Sequence, residues 1–231
     1  MKNKVVGSLV QAVAGIADGA TILLGGFGTS GIPTELMQAL LDTDVKDLTL
    51  VSNSAGGGPS GLSELIEAGK VRKMICTFAR SPNAKTPTAL AFEKRYRAGQ
   101  IELELVPQGT LAERLRAAGA GMGPFFTPTA YGTRLAEGKE TRIINGRGYV
   151  LEQPLHADVA FVKAHLADPM GNLTYRYAGR NFAPVMCMAA ELTIAQVDQV
   201  VAVGDIAPEF VMTPGIFVKR VVECEHVAIN P

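Results

Sequence analysis

The segment Gly25-Gly26-Phe27-Gly28-Thr29-Ser30-Gly31-Ile32-Pro33 follows an apolar strand-like run and opens a helix, and Gly26, Gly28 and Gly31 satisfy G-x-G-x-x-G. Such a loop can cradle a pyrophosphate, but the dinucleotide reading also needs an acidic residue about 20 positions on, at the end of the second strand. Here that strand ends Leu50-Val51-Ser52-Asn53-Ser54, without a carboxylate. A Walker loop is excluded because no Gly-Lys-Ser/Thr follows. A tight turn with close helix packing is the plainest alternative. It leaves unexplained why five glycines fall between positions 19 and 31 around Phe27.

Other reactive side chains are scattered. His156 and His165 flank an apolar run and His226 lies near the C-terminus, with no pair at ligand spacing on one helix, so each reads as a satisfied core or surface histidine. Cys76, Cys187 and Cys224 are odd in number, far apart and without CxxC spacing, which indicates neither a disulfide framework nor a zinc site. Met186, Cys187 and Met188 fall in an apolar helical run and read as core. Lys85, Lys94, Arg95 and Arg97 form a basic cluster, most simply a solvated helix face.

The elements that must position these groups follow from the apolar pattern. Val5, Val6, Leu9, Val10, Val13 and Ile16 predict a first helix, ended by Asp18-Gly19. Strands are expected at 21–24, 48–52, 71–77 and 101–106, with helices from Pro33 through Leu41 and near 61–68, 88–97 and 110–118. Repeated strand–helix units of this length imply an α/β fold: a mostly parallel, doubly wound sheet with helices on both faces and ligand sites at the carboxyl ends of strands. Beyond the loop at 119–133, Asn145-Gly146 between two β-rich runs predicts a small hairpin excursion. Further strands are expected at 157–164, 192–197 and 217–222, with a helix at 183–190. No linker or repeat interrupts the chain, so residues 1–231 read as one domain.

Composition bounds the function. With 231 residues, 47% hydrophobic and 19% charged against roughly 25% in an average soluble protein, the chain can fill a sizeable core. Its 22 Lys+Arg balance 22 Asp+Glu, which argues against a surface that binds nucleic acid by neutralising phosphates. The charges are uneven: residues 19–34, 48–63 and 117–133 carry none and hold 13 of the 25 glycines. None of the three reaches the ~20 continuous apolar residues of a membrane span. The N-terminus lacks a signal-peptide core, so a cytoplasmic protein is expected.

Asp18-Gly19, the apolar Ile22-Leu23-Leu24 and then Gly-Gly-Phe-x-x-x-Gly-x-Pro resemble the signature of family I coenzyme A transferases, in their A subunit. The likeness continues in order through residues 106–114 (Val-Pro-Gln-Gly-Thr-Leu-Ala-Glu-Arg), Gly119-Ala120-Gly121, Thr127-Pro128-Thr129 and Tyr131-Gly132-Thr133. Gly171-Asn172-Leu173-Thr174-Tyr175, Ala178-Gly179-Arg180-Asn181-Phe182 and Thr213-Pro214-Gly215-Ile216 complete it, so the resemblance covers nearly the whole chain.

That resemblance implies a ping-pong reaction in which a glutamate attacks an acyl-CoA thioester, carries CoA as an enzyme thioester and passes it to a second carboxylic acid. In the family the glutamate lies in a Ser-Glu-Asn-Gly-type motif on the B half. This chain has only Ser63-Glu64-Leu65, where an exposed helical glutamate is expected. The implied assembly is therefore a complex with a separate B subunit, αβ or α2β2, with no permanently bound cofactor and no metal. A neutral amide donor supports the charge that develops on a thioester oxygen under attack, worth roughly 3 to 4 kcal/mol. The resemblance assigns that role to Gln108; a glutamine capping the following helix is the alternative. Asn53 is carried over as a pocket contact, although this chain has Ser54 where relatives often have a second asparagine.

Gly25, Gly26, Phe27, Gly28 and Gly31, with Gly109, Gly119 and Gly121, are the expected substrate and CoA contacts, because loops without side-chain bulk let a pantetheine arm or carboxylate approach the backbone. Helix amides after Gly31 and Gly109 would favour an anion, unless neighbouring groups cap them. Phe125-Phe126 adds apolar surface for the acyl pocket or for the partner, and the basic cluster at 85–97 could meet CoA phosphates or a dicarboxylate. Two family activities fit: succinyl-CoA with 3-oxoadipate and succinyl-CoA with acetoacetate. Tyr96-Arg97-Ala98-Gly99, residues 125–133 and residues 195–201 look closest to the 3-oxoadipate enzymes. A non-catalytic or sugar-phosphate-binding member of the same α/β superfamily is the reading of a different class.

Overall fold

The computed structural model describes residues 3–56, 61–80 and 91–224. Strand and helix alternate from the start: α1 (Leu9–Val13), β1 (Thr21–Leu24), α2 (Thr34–Leu41), β2 (Leu48–Ser54), α3 (Gly61–Glu67), β3 (Val71–Phe78), α4 (Ala91–Arg97), β4 (Glu102–Leu105) and α5 (Gln108–Gly119). Then come β5 (Phe125–Thr127), β6 (Thr141–Ile144), β7 (Arg147–Glu152), β8 (Ala157–Ala167), α6 (Ala183–Ala189), β9 (Ala190–Val200) and β10 (Arg220–Glu223). Seven strands form one sheet in the order β10-β9-β8-β1-β2-β3-β4, every pair parallel.

Burial on both faces explains why the central strands are continuously apolar rather than alternating. Ile22 and Leu24 point into a core built with α1 to α4, whereas Leu23, between them, points into a second core built with α5 and α6. All three are nearly inaccessible to water, so Leu23→Ala would cost about 2 to 5 kcal/mol. The register, with Leu23 opposite Val51, Ser52 opposite Cys76 and Cys76 opposite Leu105, brings the carboxyl ends of β1 to β4 to one edge. The chain reverses its direction across the sheet between β1 and β8, the crevice position that doubly wound sheets use for ligands.

Three expectations shift. The first helix is confined to Leu9–Val13, capped by the Ser8 hydroxyl, which accepts from the Gln11 N–H at 3.2 Å. Val5 and Val6 instead lie along β10: the Val6 N–H donates to the Val221 carbonyl and Val221 donates back to Lys4, both at 2.8 Å. An open sheet edge offers more backbone partners than one further helical turn. The last strand starts at Arg220 rather than near 217, because Gly215–Phe217 turns as a short 3-10 helix after Pro214.

The hairpin is present, with Asn145 at φ 52° and Gly146 at φ 78°, the paired positive values of a two-residue I′ turn. It gains a third strand from the segment expected to be loop, since Phe125–Thr127 pairs antiparallel with β7. This small sheet is fixed to the large one by charge. Arg114 of α5, almost buried, donates from Nη1 to Glu104 at 2.8 Å and from Nε to the Gln153 carbonyl at 2.8 Å, while Lys139 meets the buried Glu152 at 2.6 Å. Among the described residues no helix is long and apolar enough to cross a membrane.

Candidate functional site

β1 does not end cleanly. The Gly25 N–H donates to the Phe161 carbonyl at 2.9 Å and extends the pairing with β8 by one residue. Phe27 and Ser30 then exchange two backbone hydrogen bonds of 3.0 Å around Gly28-Thr29, making a tight turn that leaves the Phe27 ring half exposed. Gly31, at φ 72°, lies against the 177–180 turn so closely that a Cβ there would press on the Gly179 carbonyl oxygen and sit 2.7 Å from the Asn181 amide nitrogen. A glycine is needed at 31 for this contact as well as for its backbone angle.

The helix start after this loop is closed. The buried Gln196 of β9 accepts from the Glu35 and Leu36 N–H groups at 3.2 and 3.4 Å and donates from Nε2 to the Glu35 carboxylate. Thr34 donates to the Ile32 carbonyl and Met37 to that of Pro33. The opening amides of α2, from Thr34 to Leu36, are thus satisfied within the protein rather than left open to an anion.

Gln108 and Asn53 meet at the same sheet edge. Asn53, 5% exposed, follows Val51 by two residues and points to the α5–α6 side of β2. Gln108 is the first residue of α5, and its Nε2 reaches over β3 to donate to Asn53 Oδ1 at 2.7 Å. The capping alternative falls away: the cap position is Pro107, without a side-chain cap, and the Gln108 side chain is committed to Asn53. Beneath the pair the Thr77 hydroxyl donates to the Val106 carbonyl at 3.0 Å. Thr110, in the same first turn and 4% exposed, has a hydroxyl without a partner among the described residues. Among the described residues the pair leaves one Gln108 Nε2 hydrogen and the Asn53 amide nitrogen as neutral donors.

The remaining residues divide. Gly109 is exposed beside Gln108, and Gly121, at φ 66°, is exposed beyond α5. Gly119 serves packing: a Cβ there would strike the Met188 side chain of α6. Phe125 and Phe126 are half-buried in β5, with the Arg142 guanidinium 5.0 Å above the Phe126 ring. Glu64 sits on α3 half-buried rather than exposed. Arg95 donates to the Gln100 side chain, and Arg97 faces Glu93 at 3.8 Å. Lys85 and His226 lie outside the described residues. His165 Nδ1 is 3.0 Å from Asp198 Oδ2, and His156 is exposed at a cleft of ≈ 420 Å³ lined also by Thr21, Asp158 and Glu191. That cleft opens at the amino ends of β1, β8 and β9, opposite the Asn53–Gln108 edge.

Burial pushes the Cys76 and Cys187 thiols up to about 12, so neither is a nucleophile near neutral pH. Among the described residues no cluster of three or more His, Cys, Asp or Glu could hold a metal. Two contributors went unrecognised as such: Gln196 and Asn181, whose partners lie 161 and 155 residues away. Asn181 falls inside the family block 178–182, yet nothing local marks what its side chain holds.

Residues 6–224 match the family model described as coenzyme A transferase. The chain is 59% identical over 230 residues to the A subunit of the 3-oxoadipate CoA-transferase of Pseudomonas putida, covering 100% of this chain and 97% of that one. It is 46% identical over 220 residues to the A subunit of a probable succinyl-CoA:3-ketoacid coenzyme A transferase of Bacillus subtilis, covering 95% and 90%. Among solved structures, glutaconate coenzyme A-transferase from Acidaminococcus fermentans superposes with a TM-score of 0.82 at 24% identity over 96% of this chain and 76% of that one, a likeness of fold.

Proposed function

This chain belongs to the coenzyme A transferase family, and from that premise we propose that it is the A subunit of a cytoplasmic two-chain enzyme that moves CoA from succinyl-CoA to 3-oxoadipate. The observation that carries the substrate is the match, over essentially the full length of both chains, to a relative named for 3-oxoadipate. The partner is a B subunit that bears the nucleophilic glutamate, in an αβ or α2β2 assembly, and CoA enters as substrate rather than as a resident cofactor.

Attack of the partner's carboxylate on the thioester carbonyl breaks the C–S bond, releases CoA thiolate and leaves an acyl anhydride. The thiolate then attacks the glutamyl carbonyl, freeing succinate and leaving a glutamyl-CoA thioester. The acceptor carboxylate runs the same two steps in reverse, so atoms and electrons balance without a redox partner. Each attack places negative charge on a carbonyl oxygen. Gln108 and Asn53 answer it with neutral N–H donors already held by their mutual hydrogen bond, so little reorganisation is needed as the charge forms. The exposed Phe27, Gly28, Gly109 and Gly121 form the walls past which the acyl-CoA arm runs, with Gly25, Gly26 and Gly31 packed behind them.

The test is transfer from succinyl-CoA to 3-oxoadipate and to acetoacetate by the purified chain with and without its B subunit. Activity only in the complex, with 3-oxoadipate preferred, is expected. Preference for acetoacetate would establish the 3-ketoacid reading instead, and sugar-phosphate binding by the chain alone would replace the enzyme reading.

A further inference from the structure

We propose that Asn181 is a positioning residue that clamps the glycine-rich loop across the β1–β8 crevice and so sets the path along which acyl-CoA is presented to the Asn53–Gln108 pair. The inference rests on the CoA-transferase reading for its consequence, and on geometry for the clamp. The Asn181 side chain uses its whole hydrogen-bonding capacity within two segments. Its Oδ1 accepts from the Gly26 N–H at 3.0 Å and from the Phe182 N–H at 2.7 Å. Its Nδ2 donates to the carbonyls of Ser30 at 3.1 Å, Gly179 at 3.0 Å and Ala178 at 3.2 Å. One amide therefore ties both ends of the exposed 27–30 turn to the 178–182 turn.

The backbone is bent to make this possible. Asn181 stands at φ 24°, ψ −118°, a left-handed region that a side chain with a Cβ enters at a cost of about 1 to 3 kcal/mol. A glycine would reach that conformation without strain, so an asparagine there has a use for its side chain. Tyr177, four residues earlier, is also at positive φ, 48°, and Gly31 is pressed on Gly179 from the other side. Two walls of the crevice are thus held in backbone contact by strained residues and one amide, while Gly25 anchors the loop's root on β8.

Position in the sheet gives the clamp its consequence. The loop leaves β1, and Asn53 stands one residue before the end of the neighbouring β2, at the same carboxyl edge. A loop released by Asn181 pivots about Gly25 and shifts the wall that faces this edge, and a misplacement near 1 Å costs about 100-fold in rate.

The experiment replaces Asn181 with Gly and with Asp in the assembled complex. Asn181→Gly removes the clamp but relieves the backbone strain; Asn181→Asp keeps the acceptor for Gly26 and sets a carboxylate oxygen in place of the donor to the Ser30, Ala178 and Gly179 carbonyls. Expected for Asn181→Gly is a thermal midpoint within a few degrees of the wild type, faster amide hydrogen exchange confined to residues 25–31, and a fall of about 100-fold in kcat/KM for succinyl-CoA. Asn181→Asp should show the same loop exchange, with a loss at least as large. Wild-type loop exchange in Asn181→Gly overturns the clamp, and faster loop exchange with wild-type kcat/KM overturns its role in positioning. Should Asn181→Gly fail to fold, Asn181→Asp decides by the same readouts. A wild-type complex that transfers no CoA would defeat the functional reading, and loop exchange would still decide the clamp.

Discussion

α2 and α5 both begin at the carboxyl edge of one parallel sheet, and their first turns are finished in opposite ways. α2 follows the glycine-rich loop, and its opening amides are covered by Gln196 and the Ile32 carbonyl. α5 follows a plain Val106-Pro107 corner, has no side-chain cap, and sends the glutamine of its first position sideways to Asn53. The more glycine-rich helix start is the closed one, and the plainer start carries the donors. A glycine pattern reports where backbones must approach each other, here Gly31 against Gly179, and by itself says nothing of whether amides remain for a ligand.

Removing the donor from α5 is the most forceful way to break that contrast. In the assembled complex, Gln108→Ala should slow formation of the glutamyl-CoA thioester about 100-fold or more, roughly 3 kcal/mol, while assembly and thermal midpoint stay near wild type. Unchanged turnover would show α5's start to be as inert as that of α2. Asn53→Ala comes next, at about 10-fold, because it removes a second donor and lets the Gln108 amide swing. The double variant should lose less than the product of the single losses, since the two amides share one hydrogen bond. Strictly multiplicative losses would mean that they act apart.

This contrast also marks how far the sequence could be read. The order of strands and helices, the hairpin turn at Asn145-Gly146 and the gathering of Asn53 and Gln108 at strand ends follow from local periodicity and turn chemistry, and the structure has them. What escaped depends on distance along the chain. Gln196 reads as one more residue of a buried strand until β9 is seen to lie beneath the start of α2. Asn181 gives no local sign of its strained angle. Val5 and Val6 obey a helical period, yet an open edge on β10 claims them, and the short β5 pairs only because β7 offers it an edge.

Closing α2 should matter for stability rather than for turnover. Gln196→Leu keeps the side-chain volume but strands two helix amides and the Glu35 carboxylate, at about 1 to 3 kcal/mol. At roughly 2 to 4 °C per kcal/mol for a domain of this size, the thermal midpoint should fall by several degrees. Activity per folded complex should hold. A loss of kcat at unchanged midpoint would instead give the glycine-rich helix start a part in the chemistry.

The smallest expected effect separates the two helices by what anchors them. The cap on α2 is an amide, while α5 is held at its middle by Arg114, which shares Glu104 with Lys73. Burial pushes the Glu104 carboxyl up, but the hydrogen bonds and charges of Arg114 and Lys73 outweigh it and hold the group below its ordinary 4.5. A carboxyl whose folded value is depressed gives stability that is fully present above the unfolded value and is lost as pH falls through the folded one. Wild-type stability, followed by urea midpoint from about pH 7 to about pH 3, should therefore lose this contribution below about 4.5. Glu104→Gln should start lower at neutral pH, fall less steeply in acid and approach the wild-type curve at the acid end. Because Glu104 is partly open to solvent, the offset should be modest and should shrink with added salt. Parallel curves would mean that the Glu104 ion pair contributes nothing to anchoring α5, and that the helix bearing Gln108 is held by its apolar face and by the bond from Arg114 to the Gln153 carbonyl.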